Sequence, residues 1–68
     1  MLASEIKEGH FYKIDAKFED RRYYGLAKAI EIYRGDDKIS KIVAVLMSGE
    51  NEGQVRVFEA WDVEEEHK

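Results

Sequence analysis

The chain has 68 residues, no cysteine, no proline and a formal net charge of −4 at pH 7. A chain of this length forms one small domain that buries only about 60% of its unfolded surface, so its stability depends on tight packing or on a partner. The missing cysteines exclude disulfides and thiolate metal sites. Since the longest apolar run is too short to span a bilayer and the first residues lack a signal-peptide pattern, we expect a cytoplasmic protein without a membrane partner.

Negative charge is concentrated at the C-terminus. The last seven residues, DVEEEHK, hold four acids and one lysine, which leaves the rest of the chain nearly neutral. Because nucleic-acid binding depends on an excess of Lys and Arg, this balance favours a protein partner. We predict one β-barrel domain over residues 1–63, followed by an acidic frayed tail over residues 64–68.

The first predicted strand covers residues 10–18, HFYKIDAKF. Apolar side chains alternate there with charged ones, and a period of two is typical of a half-buried strand. The residues expected on the buried side are Tyr12, Ile14, Ala16 and Phe18.

Residues 23–34 fit either a strand or a helix. As a helix, the segment has an apolar stripe and ends at Gly35, a common position for a helix C-cap. As a strand, it has three small residues on one face and leads into a hairpin turn at residues 34–38. We favour the strand, because a helix would place Ile32 on its polar side and Gly25 in its first turns.

The remaining segments predict a hairpin and a short closing strand. Residues 39–47, ISKIVAVLM, form a strand whose second half is apolar on both faces, as in a central strand that is covered on both sides. A loop at residues 48–53 precedes a strand at residues 54–58, which places its two valines on one face and its phenylalanine on the other. A 3₁₀ turn at residues 59–61 and a brief last strand at residues 62–64 follow.

The order of these elements resembles the SH3-like small β-barrels, the group that includes KOW and Tudor-type modules. The segment YYGLAKAIEIYRGDDKISKIVAVLMSG is similar to a KOW element, and FEAWDVE resembles the closing 3₁₀ turn and last strand of such barrels. The resemblance implies an all-β fold, a small SH3-like barrel of about five strands. If residues 23–34 formed a helix, the chain would instead be an α+β fold of the order βαββ.

The sequence lacks the patterns of catalytic and metal sites. The two histidines lie at a strand start and in the tail, and the serines occur in no nucleophile motif. Asp36 and Asp37 are typical of a solvated hairpin turn rather than of an acid–base pair. We therefore expect a protein that is not an enzyme and that holds no metal and no cofactor.

A basic-aromatic stretch, EDRRYYG, begins at residue 19. Tyrosine and arginine are enriched at protein interfaces and also serve single-stranded nucleic-acid sites. On a strand, Arg21 and Tyr23 face one way and Arg22 and Tyr24 face the other. One pair is therefore presented outward, while a tyrosine of the other pair lies at the rim of the core.

Trp61 is expected in the core or at its edge, because tryptophan buries so much surface. If it is exposed beside Tyr23 or Tyr33, an aromatic groove forms. The resemblance implies that such a groove takes proline-rich or methylated peptides.

We therefore predict a small non-catalytic module that binds a partner protein, as a stand-alone regulator or inhibitor of a larger complex. The alternative is RNA or single-stranded DNA binding through a basic-aromatic patch at residues 21–34, to which Lys28 also contributes. A third alternative is a homodimer through exposed strand edges. The predicted partner-binding residues are Arg21, Arg22, Tyr23, Tyr24, Tyr33, Arg34 and Trp61.

Overall fold

Five antiparallel strands form a single sheet in the computed structural model, which describes residues 1–19, 21–34 and 40–68. The strands are β1 (Phe11–Lys17), β2 (Arg22–Arg34), β3 (Ser40–Leu46), β4 (Val55–Glu59) and β5 (Val63–His67). Their order across the sheet is β4-β3-β2-β1-β5. A first 3₁₀ turn, Ala3–Glu5, precedes β1, and a second 3₁₀ turn, Ala60–Asp62, connects β4 to β5.

The all-β prediction is confirmed, and so are the strand over residues 23–34 and the 3₁₀ turn before the last strand. The helix alternative, and with it the βαββ fold, is wrong, because residues 22–34 form one strand of 13 residues. The barrel is not closed: within the described residues, β4 and β5 are the two edges of an open sheet. The predicted hairpin turn beyond residue 34, including Asp36 and Asp37, lies outside the described residues.

The sheet is nevertheless strongly curled. β4 and β5 lie at opposite edges, yet only Ala60–Asp62 connects them. Three residues and their flanking bonds span at most roughly 13 Å, so the two edges must approach each other at that end. The concave side of this curl holds the core, and we call the opposite, solvent-facing side the outer face.

The core confirms the alternation predicted for β1. Tyr12, Ile14 and Ala16 are each 1% exposed. Phe18 was expected beside them, but it lies beyond the end of the strand, is 45% exposed and contacts the ring of Phe58 at a centroid distance of 6.1 Å. Among the described residues, the buried apolar side chains are Ile6, Tyr12, Ile14, Ala16, Ala27, Ala29, Ile42, Ala44, Leu46, Phe58 and Val63.

β3 differs from its prediction. Its inward residues Ile42, Ala44 and Leu46 are buried as expected for a central strand. Val43 and Val45 face the outer side and are half-buried, because the described residues place no second layer over that face. β3 therefore carries apolar side chains on both sides, although only one face of the sheet is covered.

The C-terminal segment is not the frayed tail that its charge suggested. Residues 63–67 form β5, which pairs with β1. Val63 is 1% exposed and anchors the strand in the core. Glu65 lies 3.3 Å from Lys13 Nζ and Glu66 lies 3.5 Å from His10 Nδ1. The acidic run is therefore a strand of the sheet, paired with β1 through the backbone and placed opposite Lys13 and His10.

Candidate functional site

Arg22 and Tyr24 lie together on the outer face of β2. The Arg22 guanidinium donates hydrogen bonds of 2.8 Å and 2.7 Å to the two carboxylate oxygens of Asp15. It also lies 5.3 Å from the centroid of the Tyr24 ring. The hydrogen bond and the positive charge of Arg22 hold the pKa of Asp15 below its ordinary value, and the same contact raises the pKa of Arg22. Since the charge of Arg22 is paired, this cluster mainly presents the ring of Tyr24, which is 65% exposed.

Tyr23 points to the core side and is held there. Its hydroxyl donates to the carbonyl of Leu26 at 2.5 Å and lies 3.3 Å from Ser48 Oγ. Its ring lies 5.9 Å from that of Phe58. Arg21 is exposed just before β2, where its backbone pairs with Phe18. Of the two adjacent tyrosines, Tyr23 and Tyr24, Tyr24 is therefore the one available to a partner.

Tyr33 and Arg34 lie at the far end of β2, separated from Tyr24 by a strand length of roughly 30 Å at about 3.3 Å per residue. A bulge between Ala29 and Glu31 interrupts the register on the way. Tyr33 is exposed, and a hydrogen bond to Glu31 together with its negative charge raises the pKa of the phenol. Arg34 borders a groove of about 380 Å³ near Lys7 and Glu8. The predicted patch at residues 21–34 is thus divided between two ends and two faces.

Trp61 is exposed rather than buried, and it lines a groove of about 440 Å³. Trp61 and Leu2 are each 69% exposed there. We call this feature the Trp61 groove, and it does not include Tyr23 or Tyr33, the neighbours suggested by the sequence. Its residues are Met1, Leu2, Ala3, Glu5, Ser40, Ala60 and Trp61.

Two capped turns position the sides of the Trp61 groove. In the second 3₁₀ turn, the backbone N–H of Glu59 donates to Asp62 Oδ2 at 3.1 Å. In the first, the N–H of Leu2 donates to Glu5 Oε1 at 3.0 Å. Such side-chain contacts satisfy backbone groups that a short turn leaves free. The groove is therefore built from short, locally braced segments that leave the Trp61 ring in solvent.

A second exposed apolar surface lies on the outer face of β3 and β4. Val43 pairs directly with Val57, and Val45 with Val55. Val55 and Val57 are 51% and 52% exposed. We call these four residues the valine patch. No role was predicted for the valine patch from the sequence, although one signal was present. In residues 54–58 both faces of the strand carry apolar side chains, and only one of these faces can lie against the core.

Basic side chains on the outer face of β2 and β3 are each in contact with another residue of the chain. Lys28 Nζ lies 5.8 Å from the centroid of the Phe11 ring, and Lys41 Nζ lies 3.2 Å from Glu59 Oε1. Arg22 is paired with Asp15. Three of the cations near the predicted nucleic-acid patch are thus engaged within the chain itself.

Within residues 1–19, 21–34 and 40–68, no group of three His, Cys, Asp or Glu side chains could hold a metal ion. In the same part of the chain, no helix is long and apolar enough to cross a membrane. No protein-family model, no curated protein and no solved structure matches the sequence.

Proposed function

We propose that this chain is a small non-catalytic module that binds a partner protein through the Trp61 groove. The observation that carries the proposal is a tryptophan left 69% exposed beside an equally exposed leucine. A tryptophan buries about 150–250 Å² when it is covered, which corresponds to roughly 4–6 kcal/mol at about 25 cal/mol per Å². A partner that covers Trp61 recovers much of this free energy.

The composition of the groove supports a peptide-like ligand. Most of its lining residues are apolar, while Glu5 and Ser40 add polar groups. Interfaces typically combine an apolar centre, often with a tryptophan, and a polar rim that fixes the orientation of the partner. A module of this kind acts by occupying its partner's surface, as a regulator or inhibitor of a larger complex would.

Tyr24 is a second proposed contact for a partner protein. It is exposed on the outer face, and the neighbouring Arg22 is braced by Asp15. A rigid tyrosine loses little side-chain entropy on binding, which suits an interface contact.

The proposal is tested by selecting peptides from a displayed random library against the intact chain. The key variant is Trp61→Ala, and the matched control is Met47→Ala, an exposed apolar residue outside the groove. We expect the selected peptides to bind Met47→Ala normally and Trp61→Ala at least about 10-fold more weakly, a loss of roughly 1.4 kcal/mol. Both variants should unfold within about 1 kcal/mol of the parent, because Trp61 is mostly exposed and Met47 is partly exposed.

Two results of this selection would contradict the proposal. One is that peptides bind the parent and Trp61→Ala equally well. The other is that no peptide is enriched on the parent over Trp61→Ala. An unfolded Trp61→Ala variant would be replaced by Trp61→Phe, which keeps an aromatic ring but contacts less surface.

Nucleic-acid binding is the alternative that the same proteins can test. Its affinity must fall steeply with added salt and must be lost in the Arg21→Ala/Arg22→Ala double variant. The pairing of Arg22 with Asp15 and the inward position of Tyr23 support a protein partner instead.

A further inference from the structure

We propose that the valine patch is a self-association surface, on which two copies of this chain pack face to face across a twofold axis. This inference goes beyond the Trp61 groove and does not depend on it. In an antiparallel sheet with one covered face, the other face normally carries polar side chains. Here four valines occupy adjacent positions on that face, at Val43, Val45, Val55 and Val57.

Strand pairing arranges the patch and its border in two rows across the sheet. In one row, Lys28 of β2 lies opposite Val45, which lies opposite Val55. In the next row, Glu31 lies opposite Val43, which lies opposite Val57. Each row thus combines two valines with one charged residue, and the two charges have opposite signs.

This arrangement is complementary to itself. A twofold axis that runs across the strands, midway between the two rows, exchanges one row for the other. The valines of one copy then pack on the valines of the second copy, and Lys28 of each copy lies opposite Glu31 of the other. Glu31 also bonds Tyr33, but a carboxylate accepts several hydrogen bonds. The charges at the border therefore favour a second copy over an unrelated apolar surface.

The strand edges are less suited to self-association than this face. At β5, residues 64–66 are three consecutive glutamates, and two such edges would repel each other. At β4, Arg56 Nη1 donates to the carbonyl of Val55 at 3.0 Å, and the N–H of Glu59 donates to Asp62. These side chains occupy backbone groups at both ends of β4 that an added strand would need.

The patch is small, so we expect a weak dimer. Interfaces that bury less than about 1,200 Å² are typically transient. Sedimentation velocity of the intact chain between about 10 µM and 1 mM should show a concentration-dependent shift from monomer to dimer, a range that suits a dissociation constant near 0.1 mM. Val55→Thr/Val57→Thr should abolish the shift, while denaturation at low concentration confirms that the variant is folded.

Charge reversal provides the sharpest test. Lys28→Glu alone and Glu31→Lys alone each bring two pairs of like charges together, and we expect each variant to dimerise at least about 10-fold more weakly than the parent. An equimolar mixture of the two variants restores both opposite-charge pairs, so the mixture should dimerise within about threefold of the parent.

Three outcomes would overturn the proposal. The first is a parent chain that stays monomeric at the highest concentration. The second is a dimer that survives Val55→Thr/Val57→Thr, which would point to the strand edges. The third is a mixture of Lys28→Glu and Glu31→Lys that dimerises no better than either variant alone.

Discussion

Gly25 marks the point where β2 passes closest to a loop on the core side of the sheet. A Cβ atom at this position would lie 2.5 Å from Ser48 Oγ and 3.1 Å from the Tyr23 hydroxyl oxygen. Ser48 Oγ is held in place, since it accepts the N–H of Leu26 at 3.4 Å and lies 3.3 Å from the Tyr23 hydroxyl. A side chain at residue 25 must therefore displace these hydrogen-bonded groups.

We predict that Gly25→Ala lowers the free energy of unfolding by about 1–3 kcal/mol, the usual cost of overpacking. Urea denaturation measures this change. In the Ser48→Ala background the same substitution should cost less, because the closest atom is gone. Equal costs in the two backgrounds would show that Ser48 is not the obstacle.

A second prediction concerns the pH dependence of the Asp15–Arg22 pair. Because the Arg22 contact lowers the pKa of Asp15 in the folded state, the pair stabilises the fold at pH values above the ordinary, unfolded-state pKa of 3.8. This stability is lost as the pH falls through the lower folded value. A carboxyl-carbon NMR titration should give a midpoint for Asp15 below 3.8, its ordinary value.

The control for this titration is Arg22→Gln. Removing the guanidinium should raise the midpoint of Asp15 towards its ordinary value, and Asp15→Asn should weaken the pH dependence of unfolding in the acid range. A midpoint that is the same with and without Arg22 would contradict the proposed cause of the shift.

At the residue scale, the sequence predicted that the Arg-Arg-Tyr-Tyr stretch divides between two faces, but it could not predict which tyrosine points inward. Each face of the strand carries one arginine and one tyrosine, so the residue types do not distinguish the two faces. Residues distant in sequence determine which tyrosine points inward, since Tyr23 contacts the ring of Phe58 and the hydroxyl of Ser48. The prediction that Trp61 lies in the core or at its edge was wrong for a similar reason. The size of its side chain favours burial, but its position in a short turn leaves it exposed.

Among the elements, β5 differs most from its prediction. We predict that removal of residues 64–68 lowers the free energy of unfolding by about 1–3 kcal/mol, because β1 loses its pairing with β5. Chemical denaturation measures the loss. The matched control is the full-length chain with Glu64, Glu65 and Glu66 changed to Gln, which keeps the strand and removes its charge.

This Gln variant separates the stability that comes from strand pairing from the stability that comes from the glutamate charges. Exposed ion pairs contribute little, about 0–1 kcal/mol each, so the Gln variant should unfold close to the parent. A truncated chain as stable as the parent would show that residues 64–67 add no stability to the sheet.

The strands with alternating residues were predictable from their local pattern, as β1 and β4 show. A brief strand was also predicted at residues 62–64, where β5 begins. Its continuation to His67 was not predictable, since Val63-Glu-Glu-Glu-His has one apolar residue and a charge pattern typical of a solvated tail. Its partner strand β1 lies far away in sequence, and so do Lys13 and His10, which lie opposite the glutamates. Single-strand patterns cannot reveal such partners.

On the scale of the whole molecule, the described residues form one curled sheet with a core on one side, and they expose apolar side chains at the Trp61 groove and at the valine patch. Short hairpin connections made the neighbouring strand pairs predictable. Closure of the sheet into a barrel was not predictable from the sequence, because it depends on how the two edge strands meet. The resemblance to SH3-like barrels stays a prediction, and the open sheet described here is compatible with binding at its margin.

The decisive measurement is an amide NMR titration of the labelled intact chain with a selected peptide and, in parallel, with a short mixed-sequence RNA at low and moderate salt. We predict that the peptide shifts the signals of Leu2, Ala3, Ala60 and Trp61, and that the RNA leaves the spectrum unchanged at moderate salt. RNA-induced shifts at residues 21–34 that disappear with added salt, together with an unchanged Trp61 signal in the presence of peptide, would contradict a protein-binding role for the Trp61 groove.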